Sequence, residues 1–393
     1  MTIKLAERIN QVQSSATLAL NSKATALKLA GTEIFNLSVG ELDFDMPEHV
    51  KQAGIRAIQN NLNKYTPVDG TTELKKAIQQ KFLRENNLNY DLSQIIVSTG
   101  AKQSLFNICQ VLLNPGDEAI IPAPCWVSYP EMVKNTHAQP VFIHTTIEHR
   151  YKITAKQLQN SITDKTRLIF LNTPSNPTGV LYSADELNEL ADVLLEHPKI
   201  FIISDDIYEH ILWNGIFNNI LNVCPKLYDR TLVVNGLSKS HAMTGWRIGY
   251  AAGPVEIIAA TKKLQSHSTS GPCSIAQAAA TVALNGDQQF LKTFIDILKK
   301  RHDFILNIFR QMPYIKCIPA DGAFYSFINV QEFLDHHNTI KTDMALAEYL
   351  LNDAHVALTP GTAFNAPGHL RLSFAASLET LEKAVERIKR AIL

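Results

Sequence analysis

The sequence has no excess of charge of either sign: lysine plus arginine and aspartate plus glutamate both number 37 over 393 residues. No global field draws the chain to nucleic acid or to an anionic membrane surface. Cysteine is scarce and scattered. The five residues Cys109, Cys125, Cys224, Cys273 and Cys317 are odd in number and form no Cys-x-x-Cys pair. That argues against a disulfide framework or a cysteine zinc site, names no metal, and suits a reduced, cytoplasmic protein. No apolar run approaches the roughly 20 residues of a membrane span. The N-terminus mixes Lys4, Glu7 and Arg8 with polar residues where a signal peptide would have an apolar core. No Gly-x-Gly-x-x-Gly follows a strand-like run and no Gly-Lys-Ser/Thr occurs, so the dinucleotide and P-loop phosphate cradles are missing. Repeats, low-complexity segments and charge blocks are missing too.

What is present is an alternation of short apolar runs and amphipathic stretches. A helical stretch and the turn-rich run Ser38–Asp45 precede it. Ile95–Ser98, Ala119–Ile121, Val141–Ile143, Arg167–Leu171, Phe201–Ser204 and Thr231–Val234 read as buried strands. Helices are expected between them, one at Ala101–Leu113 and one opened by the capping box of Ser183 and Glu186. Such alternation predicts an α/β fold with a mostly parallel sheet covered on both faces. Beyond a long helical region near 287–312 the pattern changes. Ile315–Ile318, Ala323–Ile328, Val356–Thr359 and Leu370–Phe374 read as strands of a smaller α+β unit, closed by a helix from Leu378 to the end. The expected division is an N-terminal arm with part of the small domain (1–47), a large domain (48–290) and a small C-terminal domain (291–393).

One segment carries more chemistry than the rest. Ser238-Lys239 is followed by Gly245-Trp246-Arg247-Ile248-Gly249-Tyr250, just after the strand Thr231–Val234. A lysine there can form a Schiff base with an aldehyde, and an arginine close by can hold a phosphate through paired hydrogen bonds. An aldehyde and a phosphate on one molecule describe pyridoxal phosphate, an electron sink for carbanions. Four further groups suit that cofactor. Gly100, Ala101 and Lys102 open a helix whose amides favour an anion, and Gly100 lets the backbone approach closely. Asp205 ends a strand, where a carboxylate can keep a pyridine nitrogen protonated, and Tyr208 can donate to a phenolic oxygen. The loop Asn172-Thr173-Pro174-Ser175-Asn176-Pro177-Thr178-Gly179, stiffened by its two prolines, can aim the Asn176 amide at the phenolic oxygen and a substrate carboxylate. Arg371 interrupts an apolar strand and is costly to bury unless a carboxylate meets it. Each signal alone has an ordinary structural reading, as a turn, a helix cap or a salt bridge; their order along one chain is what gives them weight.

With these residues the sequence resembles the class I pyridoxal-phosphate-dependent aminotransferases of fold type I, over nearly its whole length. The segments that carry the resemblance are Val39-Gly40-Glu41, Lys64-Tyr65-Thr66, Ser98–Gln103, Trp126–Pro130, Ser175–Gly179, Ser204–Tyr208, Ser238-Lys239, Gly245–Tyr250 and Arg371. It is most similar to the bacterial aspartate subgroup Ib, some of whose members also accept prephenate or arogenate. The resemblance implies that Lys239 anchors the cofactor covalently and acts as the base. Arg247 and the amides of Ala101 and Lys102 would hold the phosphate, with Ser238 sharing the load because Gly236 stands where many relatives have serine. Asp205 would meet the pyridine nitrogen, Asn176 and Tyr208 the phenolic oxygen, and Trp126 the ring face. Gly40, Trp126, Asn176 and Arg371 would bind substrate. Tyr65 would reach the cofactor phosphate of a second copy, which implies a homodimer with shared sites. Leu42, Cys125 and Asp206 depart from the family pattern without touching these roles.

The same resemblance implies that Thr17 and Lys102 engage a distal carboxylate. Lys102 in a first helical turn opposes the macrodipole by about 0.3–1 kcal/mol, which mildly favours a ligand role. The activity implied is transfer of the amino group of L-aspartate to 2-oxoglutarate by a ping-pong mechanism, with prephenate as a further substrate. Alternatives of the same fold are aromatic, alanine or kynurenine aminotransferases or a carbon–sulfur lyase. A regulator with an aminotransferase-like domain would add a basic DNA-binding domain, and this neutral chain starts directly with the enzyme-like part.

Overall fold

The computed structural model describes residues 3–13 and 16–393. Two N-terminal helices, Glu7–Gln11 and Ala16–Leu29, lead to the short strand β1 (Phe35–Asn36). Seven strands then build the main sheet: β2 (Ile95–Thr99), β3 (Glu118–Ala123), β4 (Gln139–His144), β5 (Thr166–Asn172), β6 (Phe201–Asp205), β7 (Thr231–Gly236) and β8 (Ile248–Ala252). Their order is β2-β8-β7-β6-β5-β3-β4. The pairs β3–β4, β3–β5, β5–β6 and β6–β7 are parallel. β8 runs antiparallel to both neighbours. The central strands are buried on both faces, as a parallel sheet between helical layers requires. Ile202, Ile203, Leu232, Val233 and Val234 are fully buried, and separate apolar clusters lie on the two sides of the sheet.

The helix Ala184–Glu196 starts as the sequence predicts: Ser183 accepts from the Glu186 N–H, and the Glu186 carboxylate accepts from the Ser183 N–H. Such a cap is worth about 1 kcal/mol.

A second sheet, ordered β12-β13-β10-β9, consists of β9 (Lys316–Cys317), β10 (Tyr325–Asn329), β12 (Thr359–Pro360) and β13 (His369–Ser373). It has its own core, which includes Leu298, Ile305 and Phe309 of the helix Phe290–Phe309. Leu381, Ala384, Val385 and Ile388 of the final helix Leu378–Ile392 also belong to that core and recur at helical spacing on one face. β11 (Val356–Ala357) pairs in parallel with β1, whereas β12 pairs with β13. The single strand expected at Val356–Thr359 is thus two strands in two sheets. Pro360 has no N–H to extend a ladder and sits, as proline must, on an edge strand. Among the described residues, no helix is long and apolar enough to cross a membrane.

Candidate active site

The parallel strands β5 and β6 and their neighbour β7 deliver their C-terminal ends to one edge, where an open α/β sheet receives ligands. Asn172 ends β5, Asp205 ends β6, and the turn after β7 carries Ser238 and Lys239. Arg371 comes from β13 of the second sheet. Between them lies a cavity of about 350 Å³, within the range of small-molecule sites. It brings together Thr17, Gly40, Ala101, Lys102, Trp126 and Asn176 with Asp205, Tyr208, Ser238, Lys239, Arg247 and Arg371. Ser14 and Ser15, which stand just before Ala16 and Thr17 in the sequence, lie outside the described residues. Tyr65 does not line the cavity and is 100% exposed.

The helix Ala101–Leu112 begins at Gly100, which supplies no side-chain cap. Its first amides are therefore left for an anion. Gly100 has φ +81°, and a Cβ there would fall 2.4 Å from Arg247 Nη2. A Cβ on Gly249 would lie 2.0 Å from the Ala101 nitrogen. These two glycines let β8 and the arginine close on the helix start. Arg247 itself sits in the left-handed region at φ 54° and donates to the Thr244 carbonyl at 2.8 Å.

Asp205 is 4% exposed. Burial lifts its carboxyl to about 6, although Tyr129 and the Ile207 N–H donate to it and the Lys239 amine lies near. The Tyr129 hydroxyl is 2.6 Å from Asp205 Oδ2, and Asn172 Nδ2 donates to the Asp205 carbonyl at 2.8 Å. Lys239 Nζ donates to the Gly40 carbonyl at 2.5 Å. Burial, and then the charge of Arg371, holds its amine down to about 8.

Arg371 is 3% exposed. It donates to Asn176 Oδ1 at 3.0 Å and to the Ser38 carbonyl at 2.5 Å, and its guanidinium lies 4.4 Å from the Tyr325 ring. Its Nε is buried with no partner, an arrangement that a bound carboxylate would complete. The Tyr208 and Tyr325 hydroxyls are 2.9 Å apart. A Cβ on Gly40 would lie 2.2 Å from the Tyr325 hydroxyl, so glycine is what admits that ring. Lys102, on the rim, sets its ammonium 4.9 Å from the Trp126 ring. Desolvation of that end, and then Arg247, pull its amine below the usual lysine range.

Three contributors carry no role in the sequence reading. Tyr129 lies within the Trp126–Pro130 segment without a role of its own. Tyr325 and Asn172 also line the cavity. Asn172 was legible as a polar end to an apolar strand, whereas the tyrosines read as core aromatics.

Comparison with known proteins gives consistent results. The family model for aminotransferase class I and II matches residues 32–388. An aspartate/prephenate aminotransferase of Nitrosomonas europaea is 48% identical over 392 residues, covering 98% of this chain and 99% of the relative. An aspartate aminotransferase of Rhizobium meliloti is 46% identical, covering 98% and 95%. Among solved structures, an aspartate aminotransferase from Rhizobium meliloti superposes with a TM-score of 0.95 at 46% identity, covering 100% of this chain and 99% of that one. One from Thermus thermophilus with maleate gives 0.94 at 40% identity, covering 99% and 100%.

Proposed function

The chain is a transaminase, a member of the class I and II aminotransferase family, and on that premise we propose that it moves the amino group of L-aspartate to 2-oxoglutarate, forming oxaloacetate and L-glutamate, with prephenate as a further amino acceptor. The observation that carries this reading is the buried Arg371, its Nε without a partner, in one cavity with the Lys239 amine. The relatives named for aspartate and for aspartate/prephenate support it. So does the dicarboxylate maleate in the Thermus thermophilus structure.

The residues fit pyridoxal phosphate. An uncapped helix start beside Arg247 suits a phosphate, a buried carboxylate suits a pyridine nitrogen, and a lysine with a lowered amine suits an aldehyde. The amides of Ala101 and Lys102, with Ser238 and Arg247, would hold the phosphate. Trp126 would cover the ring, and Asn176 and Tyr208 would bond the phenolic oxygen. When bound, the cofactor supplies a sink for the electron pair left as a substrate α-proton departs. Asp205 holds the opposing negative charge in place, preorganised by Tyr129. Arg371 binds the α-carboxylate and orients the α-carbon, while Lys102 and Thr17 meet the distal carboxylate. Lys239 Nζ takes the α-proton and would deliver it to the carbon that was the cofactor's aldehyde, and an amine held near 8 is a competent base close to neutral pH. Two half-reactions sharing one site give ping-pong kinetics.

The same reading includes a homodimer in which Tyr65 from a second copy completes the site; the full exposure of that ring supports it. It includes the division into an arm (1–47), a large domain (48–290) and a small domain (291–393), supported by the two separate cores. It also includes a cytoplasmic location, supported by the absence of disulfides among the five cysteines. To test the assignment, pyridoxal phosphate is added to the protein, the complex is reduced with borohydride and the adduct is located by mass spectrometry. A single adduct on Lys239, together with a spectral response to aspartate, is expected. An unlabelled Lys239 would refute it. A panel of amino donors with 2-oxoglutarate separates aspartate from aromatic, alanine and kynurenine specificity.

A further inference from the structure

Behind the cavity, on the far side of the turn that follows β6, lies a buried ionic cluster to which the reaction assigns no part. Lys81, in the helix Thr72–Asn86, is 0% exposed. Its ammonium touches the Glu209 carboxylate and donates to Asn86 Oδ1 at 2.7 Å. Asn86 Nδ2 in turn donates to Glu209 Oε2 at 2.7 Å. Asn235 of β7 donates to Glu209 Oε1 at 2.6 Å. Both carboxylate oxygens are thus held, one by a helix and one by a helix and a strand together. Glu209 directly follows Tyr208, and its N–H donates to the Asp206 carbonyl at 2.9 Å, closing the turn that starts at Asp205.

We propose that Glu209, clamped by Lys81, Asn86 and Asn235, is a positioning residue that sets the Asp205–Tyr208 turn against the cofactor. Taking two charges out of water is costly, and a well-packed apolar pair would serve stability alone at least as well. A clamp reaching from two separate elements to the residue beside Tyr208 gives the charges a use that an apolar pair would not have. Burial pushes the Glu209 carboxyl up, but Lys81 and His210 overcome this and keep it below the usual carboxylate range, so Glu209 is ionised at neutral pH. Glu85, Glu209 and His210 lie close enough together to chelate a metal ion. The Lys81 ammonium, in contact with Glu209 and 3.6 Å from Glu85, already supplies the cation there.

The inference rests on Asp205 and Tyr208 meeting the cofactor. Its test compares two charge-balanced double variants of the full chain, Lys81→Met/Glu209→Gln and Lys81→Met/Glu209→Ala. Gln keeps its oxygen for Asn235 and offers its amide N–H to the Asn86 oxygen that Lys81→Met leaves free, once the Asn86 amide turns over; Ala keeps neither partner. The titratable groups facing Asp205 are Tyr129, Tyr208 and Lys239. Those facing Glu209, besides Lys81, are Glu85, His210, Asp206 and Tyr250. All but Lys81 are intact in both variants, and both variants share its change. Three quantities are read: the affinity of the cofactor-free protein for pyridoxal phosphate, the pH at which the bound cofactor's visible band titrates, and the melting temperature. The Gln double should stay close to wild type in the first two. The Ala double should lose about tenfold or more in affinity, by analogy with the roughly 10–100-fold cost of losing a partner that orients a metal ligand, and its band should titrate at a different pH. Equal affinity and equal band titration in the two doubles, whatever their melting temperatures, would overturn the inference. Wild-type protein that takes up no pyridoxal phosphate would instead sink the reading of the site on which the inference rests.

Discussion

Replacing Asp205 with asparagine should make the cofactor-free protein more stable while disabling it. In the folded chain the carboxyl is raised from 3.8 to about 6, chiefly by burial. Stability from such a raised group is fully present below the unfolded value of 3.8 and is lost as pH rises through about 6. A shift of about 2 units corresponds to about 3 kcal/mol. At pH 8 the wild-type protein without cofactor carries this cost in full, since an ionised carboxylate stays out of water with Tyr129 as its main donor. The substituted asparagine keeps an oxygen for the Tyr129 hydroxyl and has no charge to bury. Urea unfolding of the two cofactor-free proteins from pH 4.5 to pH 8 should show Asp205→Asn ahead by up to about 3 kcal/mol at the alkaline end, with the margin shrinking towards the acid end. Turnover with cofactor should fall by about two to three orders of magnitude, as when a preorganised electrostatic partner is removed. A margin that is flat with pH, or a variant that is less stable at pH 8, would refute the reasoning.

Three further outcomes are expected. Lys102→Ala should reduce kcat/KM for aspartate far more than for alanine in steady-state assays, and equal losses would count against a distal-carboxylate role. In cofactor-free protein, labelling of Lys239 by a small aldehyde, measured against Lys239→Ala as background, should rise with pH through about 8 and then level off, because the amine is the free base above that value; a midpoint near the ordinary lysine value of about 10 would disprove the lowered amine. Gly249→Ala places a methyl 2.0 Å from the Ala101 nitrogen and 2.4 Å from the Gly100 carbonyl carbon, both rigid backbone atoms. Overpacking of this kind typically costs about 1–3 kcal/mol, and here the loss should appear in pyridoxal phosphate affinity, because the strained atoms are those proposed to face the phosphate.

Much of this molecule is legible in the sequence because the charges of its candidate site interrupt apolar runs. Asp205, Lys239 and Arg371 each lie within or just beyond a strand of apolar residues, where a charge needs a reason. Tyr129 and Tyr325 gave no such signal: an aromatic in an apolar pattern is the expected core residue, and only the fold shows that their hydroxyls reach Asp205 and Tyr208. β8 is not legible as a strand in the sequence, because Gly249, Ala251 and Ala252 have little intrinsic preference for one. Its place is fixed by antiparallel pairing on both sides, which is tertiary information. The Lys81–Glu209 pair escaped for the same reason, since 128 residues separate its members.

The electrical neutrality of the whole chain conceals a local imbalance that decides what the site can take. Charged residues lining the cavity are Lys102, Lys239, Arg247 and Arg371 against Glu41 and Asp205, an excess of cations in a chain whose totals cancel. A phosphate would satisfy Arg247 and the open helix start. With Lys239 proposed to be tied to the cofactor aldehyde, the cations left over are two, Arg371 inside and Lys102 at the rim, and they lie on different elements, β13 and the helix Ala101–Leu112. A monocarboxylic amino acid would leave one of them without a counter-charge in a partly desolvated place, whereas a dicarboxylic one answers both. The proposed preference for aspartate over alanine is the one that this arrangement of charges supports. It should weaken selectively, through KM and with increasing ionic strength, for the contact at the exposed Lys102 before the buried contact at Arg371.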